Sequence, residues 1–217
     1  MHSYDRGIHY FMSTSRHFYT PSEGHNLPHD PFNAIIAPRP IGWISSMGEA
    51  GDVNLAPYSF FNAFNYVPPI VGFSSVGYKD TVRNISETGE FCWNLVDESL
   101  ATQMNESCRP LDADVDEFEV AGLEKGQSRH ISVPHVAASQ VIMECKKTQI
   151  VQLNTASGDD VDTWMVFGEV VGVHIDKALL KDGVYQTAAG KPMLRAGGPG
   201  DYFTIRPENK VVMPRPK

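Results

Sequence analysis

Short apolar runs, closed by proline, glycine or asparagine residues, recur along this chain from residue 31 onward. They are rich in β-branched and aromatic side chains, a composition that is typical of strands. Because long amphipathic helices do not alternate with these runs, the pattern argues against a doubly wound parallel sheet. The sequence therefore predicts a mainly β fold, a closed antiparallel barrel with a few peripheral helices.

The same runs predict individual elements. The predicted strands are Pro31–Ile36, Gly42–Met47, Val53–Phe60, Ile70–Ser75, Glu90–Val96, Val141–Val151 and Thr163–Ile175. Hairpin loops are predicted at Gly48–Asp52 and Asn154–Asp162, where glycine and acidic residues suit positive φ angles. Pro57 cannot donate to a ladder, so its strand is expected to break there or to lie at a sheet edge. Helical spacing and end signals predict two short helices, at Asp80–Gly89 and from Glu98 to about Ser107.

Length and charge limit the classes of function. The chain has 217 residues and a formal net charge of −8. We expect one domain over residues 31–217, preceded by an N-terminal extension, residues 1–30. An acidic surface repels nucleic acid and anionic membranes, so we expect neither as a partner and favour a small molecule. Without an apolar stretch near the ~18 residues of a membrane span, or a secretory signal pattern, we expect a cytoplasmic protein.

Metal and redox patterns are weak in this sequence. The three cysteines lack zinc-site spacing and are interpreted as reduced buried thiols, with a redox or regulatory thiol as the alternative; they are Cys92, Cys108 and Cys145. The histidines of the extension follow no fixed period, so no metal site is expected there; they are His2, His9, His17, His25 and His29. Arg109–Gly126 is acidic but lacks the residues of an EF-hand loop, which favours a solvated loop over a Ca²⁺ site. Lys191–Lys217 is expected to wrap the barrel as irregular chain.

Hydroxyl and amide side chains cluster at the predicted strand ends. The chain contains no GxGxxG, GxxxxGK[ST] or GxSxG motif, so Rossmann, P-loop and hydrolase-elbow chemistry have no support. The clustered residues are Ser45, Ser46, Ser59, Asn62, Ser74, Ser75 and Thr81, with Arg39, Lys79 and Arg83 as cations. Such a set can bind a phosphate group. The alternative, equally open on composition alone, is that these are ordinary loop residues with solvated cations.

Several motifs taken together resemble one known family. They are Arg39–Ser45 (RPIGWIS), Asn54–Asn62 (NLAPYSFFN), Pro68–Pro69, Lys79–Thr81 (KDT), Gly89–Phe91 (GEF), Gly168–His174 (GEVVGVH) and Leu194–Tyr202. The combination resembles the flavin reductase-like, FMN-binding split-barrel family, which includes flavoredoxin. The resemblance covers the chain from Asn33 to Tyr202.

The resemblance implies a fold and a set of FMN-binding residues. The fold is a six-stranded antiparallel Greek-key split barrel that forms a homodimer and binds FMN, with no metal, near the subunit interface. Residues implied along the flavin are Arg39, Trp43, Ser45, Ser46, Tyr58, Ser59, Phe60 and Asn62, and those near its phosphate are Ser74, Ser75, Lys79, Asp80 and Thr81. His174 matches a position that can approach the nicotinamide in related reductases. A structural histidine on its strand is the alternative.

The activity implied by the resemblance is an FMN-dependent oxidoreductase that transfers a hydride from NAD(P)H to flavin. The hydride step requires no acid or base, and the electrons are expected to pass to a partner monooxygenase or another redox protein. Backbone amides and hydroxyls near the flavin N1/O2 edge are expected to stabilise the charge of the reduced ring. The alternatives are an FMN-binding electron carrier without a nicotinamide site, and a non-catalytic dimeric barrel that binds another tetrapyrrole or flavin-like ligand.

Overall fold

The computed structural model describes residues 16–112 and 115–216. The strands are β1 (Arg39–Pro40), β2 (Gly42–Met47), β3 (Val53–Tyr58), β4 (Phe61–Asn65), β5 (Ile70–Val76), β6 (Glu90–Asn94), β7 (Lys125–Gly126), β8 (His135–Val136), β9 (Val141–Asn154), β10 (Asp160–Ile175), β11 (Leu180–Lys181), β12 (Val184–Tyr185), β13 (Met193–Arg195) and β14 (Tyr202–Thr204). The α-helices are α1 (Phe32–Ile35), α2 (Asp80–Thr88), α3 (Ala101–Glu106) and α4 (Glu117–Val120). Short 3₁₀ turns lie at Pro21–Glu23, Glu98–Leu100, Lys177–Leu179, Thr187–Gly190 and Pro207–Asn209.

A seven-stranded sheet in the order β3-β2-β6-β9-β10-β5-β4 forms the body of the molecule. All of its neighbouring strands are antiparallel, and the sheet curls into a half-barrel. The mainly β antiparallel fold predicted from the sequence is therefore confirmed. The main sheet has seven strands where six were expected, because the chain resumes pairing after Ser59 and Phe60 and adds β4 alongside β5.

The hairpin between β2 and β3 follows the turn chemistry of its sequence. Gly51 adopts a φ of 91°, which a side chain would disfavour, and the Gly48 amide donates to the Asp52 carbonyl at 3.0 Å. β3 is an edge strand of the sheet, which is where Pro57 was expected to lie. The hairpin places the alternate residues of β3 beside the start of α2, and this contact positions the site described below.

Two apolar clusters fill the interior of the fold. One packs the inner face of the sheet against α2 and is centred on Phe73, Phe91 and Ile85. The other joins β2 and β3 to α3 and α4 through Trp43 and Phe118, both fully buried. Burial of large aromatic side chains in both clusters supplies much of the free energy that holds the sheet curled.

Two segments differ from their sequence-based predictions. Pro31–Ile36 forms the short helix α1 and not a strand, because the Pro31 carbonyl accepts from the Ala34 and Ile35 amides while Asp30 accepts from the Phe32 amide. Part of Lys191–Lys217 is regular: β13 pairs with β14 and with β1, so this segment extends a small second sheet. The pairing of β13 with β1 depends on partners distant in sequence, which a local pattern does not reveal.

The acidic segment and the cysteines also require corrections. Asp116 caps α4 and pairs with Lys125, so part of Arg109–Gly126 is ordered structure and not a solvated loop. Cys92 and Cys145 are buried as expected, but Cys108 is exposed, since it follows the end of α3.

Asp114, His2 and His9 lie outside the described residues, so the expectations for them remain predictions. No helix within the described residues is long and apolar enough to cross a membrane.

A substitution at Gly168 tests the packing of β10 on the core. A methyl group there would lie 2.5 Å from Cζ of Phe91 and 3.2 Å from Cβ of Cys145. We expect Gly168→Ala to lower the free energy of unfolding by about 1–3 kcal/mol, as overpacked core sites do. Urea denaturation measures the change. Gly200→Ala, which points into open space, is the matched control, and equal stabilities for the two variants would contradict the packing described here.

Candidate cofactor site

Two adjoining cavities open along β3. The larger, about 390 Å³, is lined by Asn54, Ala56, Pro57, Tyr58, Lys79, Asp80, Thr81, Ser107, Cys108, Arg109, Pro110, Leu111 and Glu117. The smaller, about 180 Å³, is lined by Ile41, Pro57, Tyr58, Ser59, Met104, Cys108, Arg195 and Tyr202. They share Pro57, Tyr58 and Cys108, so we treat them together as one slot. The sizes lie in the range of ligand pockets.

The start of α2 provides a favourable place for an anion at the larger cavity. Lys79 is the N-cap residue in an extended conformation, and no side chain caps the first amides of the helix. Unpaired helix N–H groups and the helix dipole both favour negative charge at this end. Asp80 pairs with Arg83 at 2.6 Å, which offsets its own charge, whereas Lys79 makes no ion pair with any described residue. Lys79 is therefore available to an anionic group.

Tyr58 contributes a buried hydroxyl to the same cavity. The residue is 8% exposed, and its hydroxyl makes no hydrogen bond within the described part of the chain, although the Thr81 and Ser75 hydroxyls lie nearby. Burial raises the pKa of the Tyr58 phenol, and those two hydroxyls lower it by less. An unpaired buried donor costs free energy, so this atom indicates a ligand that would accept from it.

A hydrogen-bond network fixes Thr81 at the floor of the cavity. In the amide orientation that satisfies its neighbours, Asn54 accepts from the Thr81 hydroxyl at 2.7 Å and donates to Glu117 at 3.3 Å. Glu117 also accepts from the Leu55 amide at 3.0 Å. Burial raises the pKa of Glu117, and the hydrogen bond from the Leu55 amide opposes that shift. The network therefore fixes the Thr81 side chain at the start of α2.

Arg39, Phe60 and Asn62 lie on a different cavity, of about 430 Å³, beside α1. Arg39 is 8% exposed and its guanidinium donates to the carbonyls of Asn33, Ile36, Ser59 and Ala196. Desolvation by burial, and secondarily the charge of Arg195, lower the pKa of Arg39. Four of its five N–H groups donate to backbone carbonyls, so Arg39 holds the surrounding segments together, and its contact with a ligand stays a prediction.

Four of the residues expected to bind FMN point into the protein. Trp43 donates to the Ser107 hydroxyl at 3.0 Å, and Ser45 donates to the Pro134 carbonyl at 2.7 Å. The Ser46 hydroxyl accepts from Asn84 at 3.4 Å, and the Ser75 hydroxyl donates to the Gly77 carbonyl at 2.9 Å. All four are fully buried. The core encloses these side chains and their bonds hold the walls of the site, and direct contact of the four with the cofactor stays a prediction.

Ser59 and Ser74 take intermediate positions. Ser59 lines the smaller cavity of the slot, and its carbonyl accepts from Nε of Arg39 at 2.9 Å. Ser74 is half-buried on β5, and its amide donates to the Phe60 carbonyl at 2.9 Å. The structure thus brings together Tyr58, Ser59 and the Lys79–Thr81 segment along one slot.

His174 lies near the end of β10, away from the slot. The Asp162 carbonyl at the start of β10 accepts from the Gly77 amide, close to Lys79. The strand register places His174 level with Pro57 of the slot, but four strands away across the sheet, through Ile142, Asn94 and Trp43. Nε2 of His174 lies 2.5 Å from Oε1 of the fully buried Glu144. Within one protomer, His174 therefore belongs to a separate cluster.

Glu144 organises that cluster. Its carboxylate also accepts from the Arg129 amide at 2.8 Å and the His130 amide at 2.6 Å. Burial opposes ionisation, but the hydrogen bond from His174 and those from the two amides outweigh it and lower the pKa of Glu144 to about 2. The neighbouring His135 ring, 5.2 Å from that of His174, has its pKa lowered mainly by burial. The arrangement is that of a structural hydrogen-bond cluster around a buried carboxylate.

Several residues that line the slot were not predicted as site residues from the sequence. Asn54 stands within the NLAPYSFFN motif but carried no assigned role. Glu117 was placed in a solvated acidic loop, and Cys108 and Arg195 were assigned no part in the site. The Leu194–Tyr202 motif was the available signal for Arg195, since it contains this arginine and guanidinium groups form strong hydrogen bonds with anions.

Comparisons with known proteins agree with the fold described above. Residues 36–192 match the family model of the flavin reductase like domain. A curated protein of Halalkalibacterium halodurans is 36% identical over 169 residues, which cover 75% of this chain and 80% of that protein. The crystal structure of nitrilotriacetate monooxygenase component B from Bacillus cereus is 31% identical with a TM-score of 0.73, covering 80% of this chain and 88% of its own. A Shewanella frigidimarina structure described as having a split barrel domain has a TM-score of 0.73 at 24% identity, covering 86% of this chain and 89% of its own.

Proposed function

We propose, from the premise that this chain belongs to the flavin reductase-like domain family, that it binds FMN in the slot and reduces it with NAD(P)H. The family expected from the motifs is confirmed, and so is the split-barrel fold. The cofactor and the hydride transfer are the parts that we propose. The observation that carries them is the unpartnered Tyr58 hydroxyl, which lies beside Thr81 and the uncapped start of α2.

The donor set of the larger cavity fits a phosphate monoester. Lys79 supplies charge, the first amides of α2 supply N–H donors, and Tyr58 supplies a buried O–H. Charge-assisted hydrogen bonds of this kind are the strong ones in anion recognition. Because the slot continues past Tyr58 between apolar and aromatic side chains, it also suits a flat heterocycle attached to that phosphate.

The residues of the slot account for binding and orientation. FMN, when bound, supplies a ring that accepts a hydride at N5. Lys79 and the first amides of α2, that of Thr81 among them, hold the phosphate, Tyr58 donates to it, and Asn54 and Glu117 keep the Thr81 side chain in place. The apolar lining from Ile41, Met104 and Tyr202 excludes water from the ring. No acid or base of this chain is needed for the hydride step.

A second copy of the chain is the proposed partner for the β4 edge. β4 terminates the seven-stranded sheet, and Phe64, Tyr66 and Val67, on or just beyond it, are 54%, 89% and 79% exposed. Exposed apolar edge strands are normally covered, and a homodimer would cover this one. Sedimentation analysis checks the proposal, and a monomer at micromolar concentration would contradict it.

The nicotinamide role of His174 stays a prediction. Within one protomer, β10 carries His174 away from the slot and Glu144 binds its ring, so the role requires a second protomer that brings His174 to the slot. One structural neighbour is named as a single component of a monooxygenase, which supports a role in supplying electrons to a separate oxygenase. We propose that this chain likewise passes its electrons to another protein.

Anaerobic titration of the purified protein with FMN tests the proposed function. We expect the protein to bind FMN with a shifted flavin absorption band, and NADH or NADPH to bleach that band. Both outcomes follow from a slot that holds the phosphate and leaves one face of the ring open to a nicotinamide. Bound FMN that neither nucleotide reduces would indicate an electron carrier and contradict the reductase. Protein that takes up no FMN would contradict both.

A further inference from the structure

We propose that Arg195 stabilises the negative charge of reduced FMN, so that this chain binds reduced FMN more tightly than oxidised FMN. The inference rests on the proposed function, since it concerns the same slot. It assigns a role to a residue for which neither the motifs nor the comparisons specify one.

The guanidinium of Arg195 has an unused hydrogen-bond donor. Nη1 donates to the carbonyls of Ala196, Gly197 and Asp201 at 3.3, 2.9 and 2.8 Å, and Nη2 donates to that of Gly198 at 2.9 Å. Nε has no acceptor in the described part of the chain, and the group lies 5.0 Å from the Tyr202 ring centre. The backbone carbonyls therefore hold the group in position beside the smaller cavity and leave Nε–H available.

A second arginine stands directly across the strand pair. Arg39 on β1 is the register partner of Arg195 on β13. Neither forms an ion pair with any acid that the structure describes, and like charges placed opposite one another are destabilising. Since Arg39 is buried and committed to carbonyls, an anion that relieves this repulsion must approach through Arg195.

The surroundings of Arg195 select a flat anion with an apolar body. Ile41, Met104 and Tyr202 line the smaller cavity together with Arg195, and the slot leads from it past Tyr58 to Lys79 and Thr81. A cation in an apolar cavity acts strongly on a nearby charge because water is excluded. Lys79 satisfies the phosphate in either redox state, whereas the ring is neutral when oxidised and negative when reduced.

The charge balance of the reduction defines the effect. A dihydronicotinamide transfers a hydride, two electrons with one proton, to N5 and leaves as the nicotinamide cation, so the flavin ring gains one negative charge near N1 and O2. Because Arg195 acts mainly on the product, it raises the two-electron reduction potential of bound FMN. By thermodynamic linkage, the size of this shift in potential is set by the ratio of the dissociation constants of oxidised and reduced FMN.

The test measures the reduction potential of FMN bound to Arg195→Gln, Arg195→Lys and the wild-type protein by anaerobic spectroelectrochemistry. We expect Arg195→Gln to weaken reduced FMN at least tenfold relative to oxidised FMN, which lowers the potential by about 30 mV. Arg195→Lys keeps the charge and is expected to retain most of the wild-type potential. Lys210→Gln removes one exposed charge elsewhere and is the matched control, with an unchanged potential.

The outcomes separate this inference from the proposed function. A wild-type potential in a folded, FMN-loaded Arg195→Gln variant overturns the role of Arg195 while leaving FMN binding intact. If Arg195→Gln does not fold, a wild-type preference for oxidised over reduced FMN overturns it equally. A wild-type protein that takes up no FMN refutes the proposed function itself.

Discussion

Lys79→Ala is expected to weaken FMN binding by about 1.5–3 kcal/mol, which corresponds to a 10- to 150-fold rise in Kd. Lys79 is exposed at the slot, makes no ion pair with any residue that the structure describes, and precedes the uncapped first turn of α2. Its loss removes the cation but leaves the helix amides, so binding weakens without disappearing. Fluorescence titration with FMN measures the change.

Riboflavin distinguishes a phosphate contact from a general defect. It carries the same ring and ribityl chain as FMN but no phosphate, so Lys79→Ala is expected to leave its affinity within about twofold of wild type. Lys181→Ala removes an exposed lysine far along the chain and is the matched control. An equal loss of affinity for FMN and riboflavin, or no loss for FMN, would place the phosphate elsewhere.

Glu144→Ala is expected to destabilise the fold by about 3–5 kcal/mol, because each donor that loses its acceptor in the interior costs about 1–3 kcal/mol. The variant leaves the amides of Arg129 and His130 and the ring of His174 without their shared acceptor. Urea denaturation at neutral pH measures the loss. Glu144→Gln keeps the shape but one acceptor oxygen only, so we expect an intermediate loss.

The same carboxylate predicts a pH dependence. Its folded pKa of about 2 lies below the ordinary value of 4.5, so its contribution to stability is present above pH 4.5 and is lost as the pH falls towards 2. Wild-type stability should therefore fall more steeply than that of Glu144→Gln across this window. Parallel falls in the two proteins would show that Glu144 is not held ionised by its partners.

Local patterns predicted the elements whose residues are neighbours in sequence. The hairpins β2–β3 and β9–β10 and the helix α2 with Gly89 at its C-cap appeared where the turn glycines and apolar spacing indicated. Pro31–Ile36 failed because its amides found acceptors at Asp30 and Pro31, so an apolar run became a helical turn. Periodicity cannot distinguish these outcomes in a run this short.

The candidate site shows the same division. The motifs selected Tyr58, Lys79 and Thr81, which the fold places along one slot. They also selected Trp43 and Ser45, whose polar atoms are bonded within the core. A motif shows which residue type occurs at a position, but it does not show which face of the strand that side chain occupies.

The sequence by itself determined the family and the antiparallel β architecture, and it selected Tyr58, Lys79 and Thr81 on the wall of the slot, because those depend on turn residues and on motifs contiguous in the chain. Only the tertiary structure decided that Arg195 stands beside Arg39, that Glu117 supports Thr81 through Asn54, and that Glu144 binds His174. Each of these contacts joins residues far apart in sequence. Their energies depend on distance and burial, which are set when the sheet curls and closes over its core.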